Sequence, residues 1–235
     1  MRLKNQFFFT TVIILMILMS SFAYLNNNRY LVEKIKINFE SHGAHFLSDT
    51  LVDKLLILNK GELPWKAKDS LVLTMLESLL ENNPYVDKAE VFHFNRGILG
   101  VKIKEKSAVV RIQGPNQYYL DKLGNQFPVS INHTPKVPIY LGILKDQQKE
   151  DLLSLIYQID KDPFFRTELA SIHYRSNSFF IGLRSYDFEV EIGQIRRLVE
   201  KLYKLKVFCA YHENHLTKKE YTLINLKFKN QVIGS

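Results

Sequence analysis

Apolar residues crowd the start of the chain and then thin into periodic patterns. From Phe7 to Leu25 there are 19 residues without a charge, 15 of them apolar, interrupted only by Thr10, Thr11, Ser20 and Ser21. As a helix rising 1.5 Å per residue the run spans roughly 28 Å, close to the ~30 Å hydrocarbon core of a bilayer. Arg2 and Lys4 precede it, and no acid appears before Glu33. Ser21-Phe22-Ala23 also fits a signal-peptidase site, so the run reads either as an uncleaved anchor or as a cleaved signal. The length of the apolar stretch and the lack of a turn-forming residue before Ala23 favour the anchor. A short tail is readily retained while a large C-terminal part is translocated. The pattern predicts a cytoplasmic tail over 1–6, a transmembrane helix over 7–25 and an extracytoplasmic body.

Residues 32–106 read as one unit. Ile35, Ile37 and Phe39 alternate with Lys34, Lys36 and Asn38, the period of a half-buried strand. Ser48 or Asp49 can cap a short helix carrying Leu51, Leu55 and Leu56, with Gly61 near its end. Asp69 can cap a second helix bearing Val72, Met75, Leu76, Leu79 and Leu80, stopped by Asn82-Asn83-Pro84. Two strands, Val86 to Phe94 and Ile98 to Glu105, flank the hairpin signal Asn95-Arg96-Gly97. The order is strand, helix, helix, strand, strand.

The rest of the chain, 107–235, continues without a linker. A short strand over Ala108–Ile112 leads to Tyr119-Leu120-Asp121-Lys122-Leu123-Gly124, whose Asp-x-x-Gly core predicts a tight turn between strands. Helical spacing covers about 147–161 (Leu152, Leu153, Ile156, Ile159) and 195–208 (Ile195, Leu198, Val199, Leu202, Leu205). Strands are expected at Ile172–Arg175, Phe179–Arg184, Phe188–Ile192 and Tyr221–Lys229. The fold class is α+β, with a mostly antiparallel sheet in this second domain.

Composition changes little in this picture. The chain has 235 residues, is 46% hydrophobic and 24% charged, and carries a net charge of +8. That excludes bulk disorder. Lone Cys209 excludes an intramolecular disulfide and reads as a small buried hydrophobe near a helix end. Lys and Arg are spread along the body, without the clustered stripe that suggests nucleic acid.

The catalytic and metal motifs are weak. His212-Glu213-Asn214-His215 places its histidines three apart, where a zinc-protease helix needs four. His42 and His45 look like loop residues, and Glu189 and Glu191 like exposed strand acids. No nucleophile elbow, phosphate-binding glycine loop or dinucleotide fingerprint is present. No cofactor and no catalytic residue is expected.

The strand-helix-helix-strand-strand order, with Gly61 between the helices, Asn83-Pro84-Tyr85-Val86 before Ala89 and Val101-Lys102-Ile103-Lys104-Glu105-Lys106 at its end, resembles a POTRA domain. With the N-terminal run, the segment Tyr119 to Pro128 (Tyr-x-Asp-x-x-Gly-x-x-Phe-Pro) and Ile224-Asn225-Leu226-Lys227-Phe228-Lys229-Asn230-Gln231, the whole chain resembles the bacterial cell-division family FtsQ/DivIB. Departures are Ser107 for a usual proline, and Asn225, Lys227 and Phe228 for a usual acid, arginine and tyrosine.

The resemblance implies a non-enzymatic, single-pass inner-membrane protein of the division septum. It implies binding of FtsB-like and FtsL-like partners outside the membrane and, through them, influence on the septal peptidoglycan synthases FtsW and FtsI. It places partner-binding residues at Ile224, Leu226, Lys227, Phe228, Lys229 and Val232. Physically, a last strand at a sheet edge can accept a partner strand backbone to backbone. For Ile224 and Leu226, which share one face, core packing competes with partner contact. Two other functions stay open at this point, another POTRA-bearing assembly or secretion factor and an anchored envelope hydrolase. The first lacks a following run of barrel strands; the second lacks a recognisable site.

Overall fold

The computed structural model describes residues 2–27, 31–32, 34–41, 43–60, 65–66, 70–95, 97–214, 220–229 and 231–235, with backbone alone at 2–9, 23–27, 31, 57–60, 65–66, 70–71 and 95. The chain divides into two compact units, Met1–Glu105 and Lys106–Ser235.

The first unit opens with helix α1, Arg2–Asn27. Apart from half-buried Val12, its described apolar side chains are exposed: Ile13, Leu15, Ile17 and Met19 are 55%, 60%, 59% and 67% exposed. Among the described residues no helix is long and apolar enough to cross a membrane. The ends of the expected span, 7–9 and 23–25, fall where only backbone is described.

A two-residue ribbon joins β1 (Leu31–Val32) to β3 (Trp65–Lys66). Around it come β2 (Lys34–Phe39), α2 (Asp49–Lys60), α3 (Ser70–Glu81), β4 (Val86–Asn95) and β5 (Ile98–Glu105). The three long strands form a sheet in the order β2-β5-β4, with β2 parallel and β4 antiparallel to β5. The period-two residues of β5, Leu99, Val101 and Ile103, pack with Val52 and Leu56 of α2 and Leu76 and Leu80 of α3. Ser48 caps α2 through its hydroxyl, which accepts from the Leu51 amide at 3.3 Å. The expected caps at Asp69 and Gly61, and Arg96 of the hairpin turn, lie outside the described residues. Gly97 takes the positive φ of 75° that the turn requires. His45 is not a free loop residue: its ring hydrogen-bonds the half-buried Glu105 carboxylate at 3.0 Å. His42 lies outside the described residues.

Among the described residues the second unit is one nine-stranded sheet with three helices. Its elements are β6 (Ala108–Gln113), β7 (Gln117–Asp121), β8 (Gln126–Pro128), β9 (Ile139–Leu141), α4 (Asp146–Asp160), α5 (Pro163–Glu168), β10 (Leu169–Arg175), β11 (Ser178–Leu183), β12 (Glu189–Gly193), α6 (Leu198–Asn214), β13 (Leu223–Asn225) and β14 (Ile233–Gly234). The strand order is β14-β13-β12-β11-β10-β9-β6-β7-β8. Five of its eight pairings are antiparallel, so the sheet is mixed and mostly antiparallel. The parallel joints lie at β12–β13 and on both sides of β9. Helix residues Leu152, Phe165 and Leu205 share one buried cluster with strand residues Ile112, Ile181 and Val190.

The tight turn after β7 is organised by Asp121, which is 7% exposed. Its Oδ1 accepts from the amides of Leu123 and Asn125, both at 2.8 Å, and its Oδ2 from Asn125 Nδ2 at 2.9 Å. Gly124 supplies φ of 80°.

Three expectations are corrected. The helix predicted over 195–208 starts at Leu198, because Arg197 holds a left-handed φ of 51°, and it runs on to Asn214. Val199, expected on its buried face, is 67% exposed, and Cys209 takes the core position. The strand predicted over Tyr221–Lys229 is only Leu223–Asn225, and it is not an edge: β14 pairs with it outside, Ile233 opposite Asn225 and Gly234 opposite Ile224.

Candidate protein-interaction site

The segment after β12 carries the expected partner-binding residues, and the structure separates them. Ile224 and Leu226 are both 0% exposed. They belong to the core cluster, and Val232 packs against it partly buried. The core reading of Ile224 and Leu226 holds; neither side chain faces solvent. Lys227, Phe228 and Lys229 are exposed, Phe228 at 49%.

The change from buried to exposed has a local cause. Asn225 ends the strand: its side-chain oxygen accepts from the Lys227 amide at 2.9 Å, a turn that pulls the backbone out of the ladder. From α6, Lys204 Nζ then donates to the carbonyls of Phe228 at 2.7 Å and Lys229 at 3.0 Å. The bend is thereby tied to the helix, and the Phe228 ring is left in solvent. A half-exposed phenyl ring on a tethered bend is a preformed apolar contact.

Lys227 is held as well. Its Nζ lies 2.7 Å from Glu191 Oε1, and Asn225 Nδ2 donates to Glu191 Oε2 at 2.8 Å. Glu191, expected as an exposed strand acid, is buried at 7% because these two groups cover it. Glu189 pairs with Arg175, and His173 Nε2 lies 3.2 Å from the Glu189 carboxylate without hydrogen-bonding it. Burial pulls His173 below the ordinary imidazole range.

Beside Lys227 lies a basic concavity of about 540 Å³, lined by Ser176, Asn177, Gln194, Arg196, Arg197, Lys201 and Lys227. Lys201 forms its floor at 5% exposure, with Nζ donating to the carbonyls of Ile192 and Gln194, both at 2.8 Å. Burial, then the charges of Arg197 and Lys204, pull its pKa below the ordinary lysine range. An acidic side chain placed there relieves that repulsion. Sequence reasoning missed Arg196, Arg197, Lys201 and Lys204. The available signal was a lysine inside the Leu198–Leu202–Leu205 apolar stripe, since a charge at a core-facing position needs partners.

The other motifs fall elsewhere. Glu213 accepts from the Tyr186 hydroxyl, and His212 sits among the rings of Phe188, Phe208 and Tyr221. His215 lies outside the described residues. Cys209 is fully buried, and burial pushes its thiol up to about 11. Among the described residues no group of three His, Cys, Asp or Glu side chains is placed to hold a metal ion.

Residues 107–235 match a family model described as FtsQ/DivIB, C-terminal related. No curated protein matches the chain.

Proposed function

Because the chain belongs to the FtsQ/DivIB C-terminal-related family, we propose that it is a non-enzymatic division protein that scaffolds the septal complex. In this reading its second unit binds FtsB-like and FtsL-like proteins and so helps control the peptidoglycan synthases FtsW and FtsI. The carrying observation is the tethered bend: Phe228 presented at 49% exposure beside Lys227 and the four-cation concavity. A partner segment with an apolar residue for Phe228 and an acid for the Arg196–Lys201–Lys227 side is the complementary chemistry. Lys227, Phe228 and Lys229 make the contact, while Ile224, Leu226 and Val232 set its position from the core.

We also propose that α1 anchors the chain in the inner membrane, tail inside and the remainder of the chain in the periplasm, at the septum. The exposed apolar surface of α1 supports this, since water disfavours such a helix and lipid does not. So does Ser20, whose hydroxyl is satisfied within the helix by the Met16 carbonyl at 2.5 Å. Residues 32–106 are read as a POTRA module, on the order of β2, α2, α3, β4 and β5.

The test is capture of an FtsB-like protein by the full chain and by Phe228→Glu. We expect capture to fall at least tenfold while urea unfolding of the variant matches the parent. Undiminished capture by a folded Phe228→Glu chain refutes the site.

A further inference from the structure

The three-stranded sheet of the first unit has two edges that are finished differently. On the outer side of β4, the amides of Ala89 and Val91 donate to carboxylates of α3, Glu81 at 3.1 Å and Glu77 at 2.8 Å. These charge-assisted bonds take up the donors that an added strand needs. The core-facing side chains of β4 are correspondingly sealed, with Val86, Ala89 and Val91 at 3%, 3% and 4% exposure.

Among the described residues the β2 edge has no such finish. Lys34 donates its amide to the Gly97 carbonyl at 3.0 Å and Glu40 donates to Ile103 at 2.9 Å, so the even positions bond to β5. By the alternation of a parallel ladder, the amides and carbonyls of Ile35, Ile37 and Phe39 point away from it. Among the described residues no strand pairs with them. Their side chains pack against the core but are only half-buried, whereas Leu99, Val101 and Ile103, directly opposite on β5, are 0%, 1% and 0% exposed. The His45 ring stacks on Phe39 at 4.2 Å, and beside Ile35 and Ile37 the apolar layer is unfinished among the described residues.

Charge distinguishes the edge further. On the opposite face of the sheet, Lys88, Lys102 and Lys104 pair with Glu90, Glu40 and Asp87. Lys34 and Lys36 are exposed, and among the described residues no acid pairs with either. Lys36 lies over the Phe94 ring at 4.7 Å, which leaves its charge available.

We propose that β2 accepts an extended segment of a partner protein as a fourth strand, apolar side chains alongside Ile35, Ile37 and Phe39 and carboxylates alongside Lys34 and Lys36. Main-chain bonds supply affinity and the alternating side chains supply selectivity. A second copy of this chain is the wrong occupant, because β2 against β2 sets lysine beside lysine. The inference concerns the first unit and does not rest on the Phe228 contact.

The experiment uses the full chain with residue-resolved hydrogen exchange. In the free chain the Ile35 and Ile37 amides should exchange at least a hundredfold faster than those of Lys36 and Asn38. An octapeptide of alternating valine and glutamate should then protect Ile35 and Ile37, and bind at least tenfold tighter than its valine–lysine counterpart. Ile37→Pro removes one outward donor while sparing the β5 ladder, and should abolish peptide binding. Lys34→Glu/Lys36→Glu, which leaves the backbone alone, should invert the preference between the two peptides. Protection of Ile35 and Ile37 in the free chain, equal binding of both peptides, or an unchanged preference in the double variant each overturns the proposal.

Discussion

The two motifs that carry the family likeness in the second unit are put to opposite uses. Tyr119 to Pro128 turns inward: Asp121 spends both carboxylate oxygens on its own turn, and Tyr119 and Phe127 are 1% and 2% exposed. Ile224 to Gln231 is divided, with Ile224 and Leu226 in the core and the next three side chains outside it. The comparison teaches that a recognisable motif marks a constraint without saying which kind. Only hydrogen-bond partners and burial tell a self-contained turn from a presented surface.

Mutation can break that contrast, and Leu226→Ala should cost most. It opens a cavity beneath a fully buried position and should lower stability by about 2–5 kcal/mol. Urea unfolding measures it, and a loss below 1 kcal/mol would move Leu226 out of the core. Asp121→Ala comes next. It leaves the Leu123 and Asn125 amides without their acceptor and should cost about 1–3 kcal/mol. Its capture of an FtsB-like protein should match the parent below the unfolding transition. Lys227→Ala should cost least, about 1 kcal/mol, because the lysine is half-exposed and its removal lets water reach the buried Glu191 carboxylate, while weakening capture severalfold. If Lys227→Ala destabilises as much as Asp121→Ala, the segment after Asn225 is structural as well.

Much of the fold was legible wherever period and punctuation agreed. The helix at Asp146–Asp160 and the strands β10 to β12 follow their apolar spacing to within a few residues. The β4–β5 hairpin follows Asn95-Arg96-Gly97. What escaped was short. β9 has three residues, too few to show a period, and is recruited by neighbours on both sides. α5 has six, begun by Asp162, which accepts from the Phe164 amide at 2.9 Å, with Pro163 at its first position. That cap and proline were readable; the length was not enough to flag a helix.

The site was legible by halves. Alternation favoured Ile224 and Leu226 as core, and the structure buries both. It also extended the strand through Lys229, because period two continues across Lys227 and Phe228. The turn made by Asn225 is local, 225 reaching 227, and the tether from Lys204 is long-range, 204 reaching 228. No window along the sequence contains the second of them. The same holds for Glu191, whose covering groups come from a segment more than thirty residues away.

The place of β9 has a kinetic consequence. Its two ladders bring Ile139 beside Arg111 and Ser171, partners 139 − 111 = 28 residues before it and 171 − 139 = 32 residues after it. Each ladder therefore closes a loop of about thirty residues before its three-residue pairing returns any free energy. The antiparallel blocks on either side, β6-β7-β8 and β10-β11-β12, are joined by short turns and close locally. The topology predicts two halves that form quickly and a seam that forms slowly, and φ-values at Tyr140, buried at the centre of the seam, test that order against those of β7 and β11.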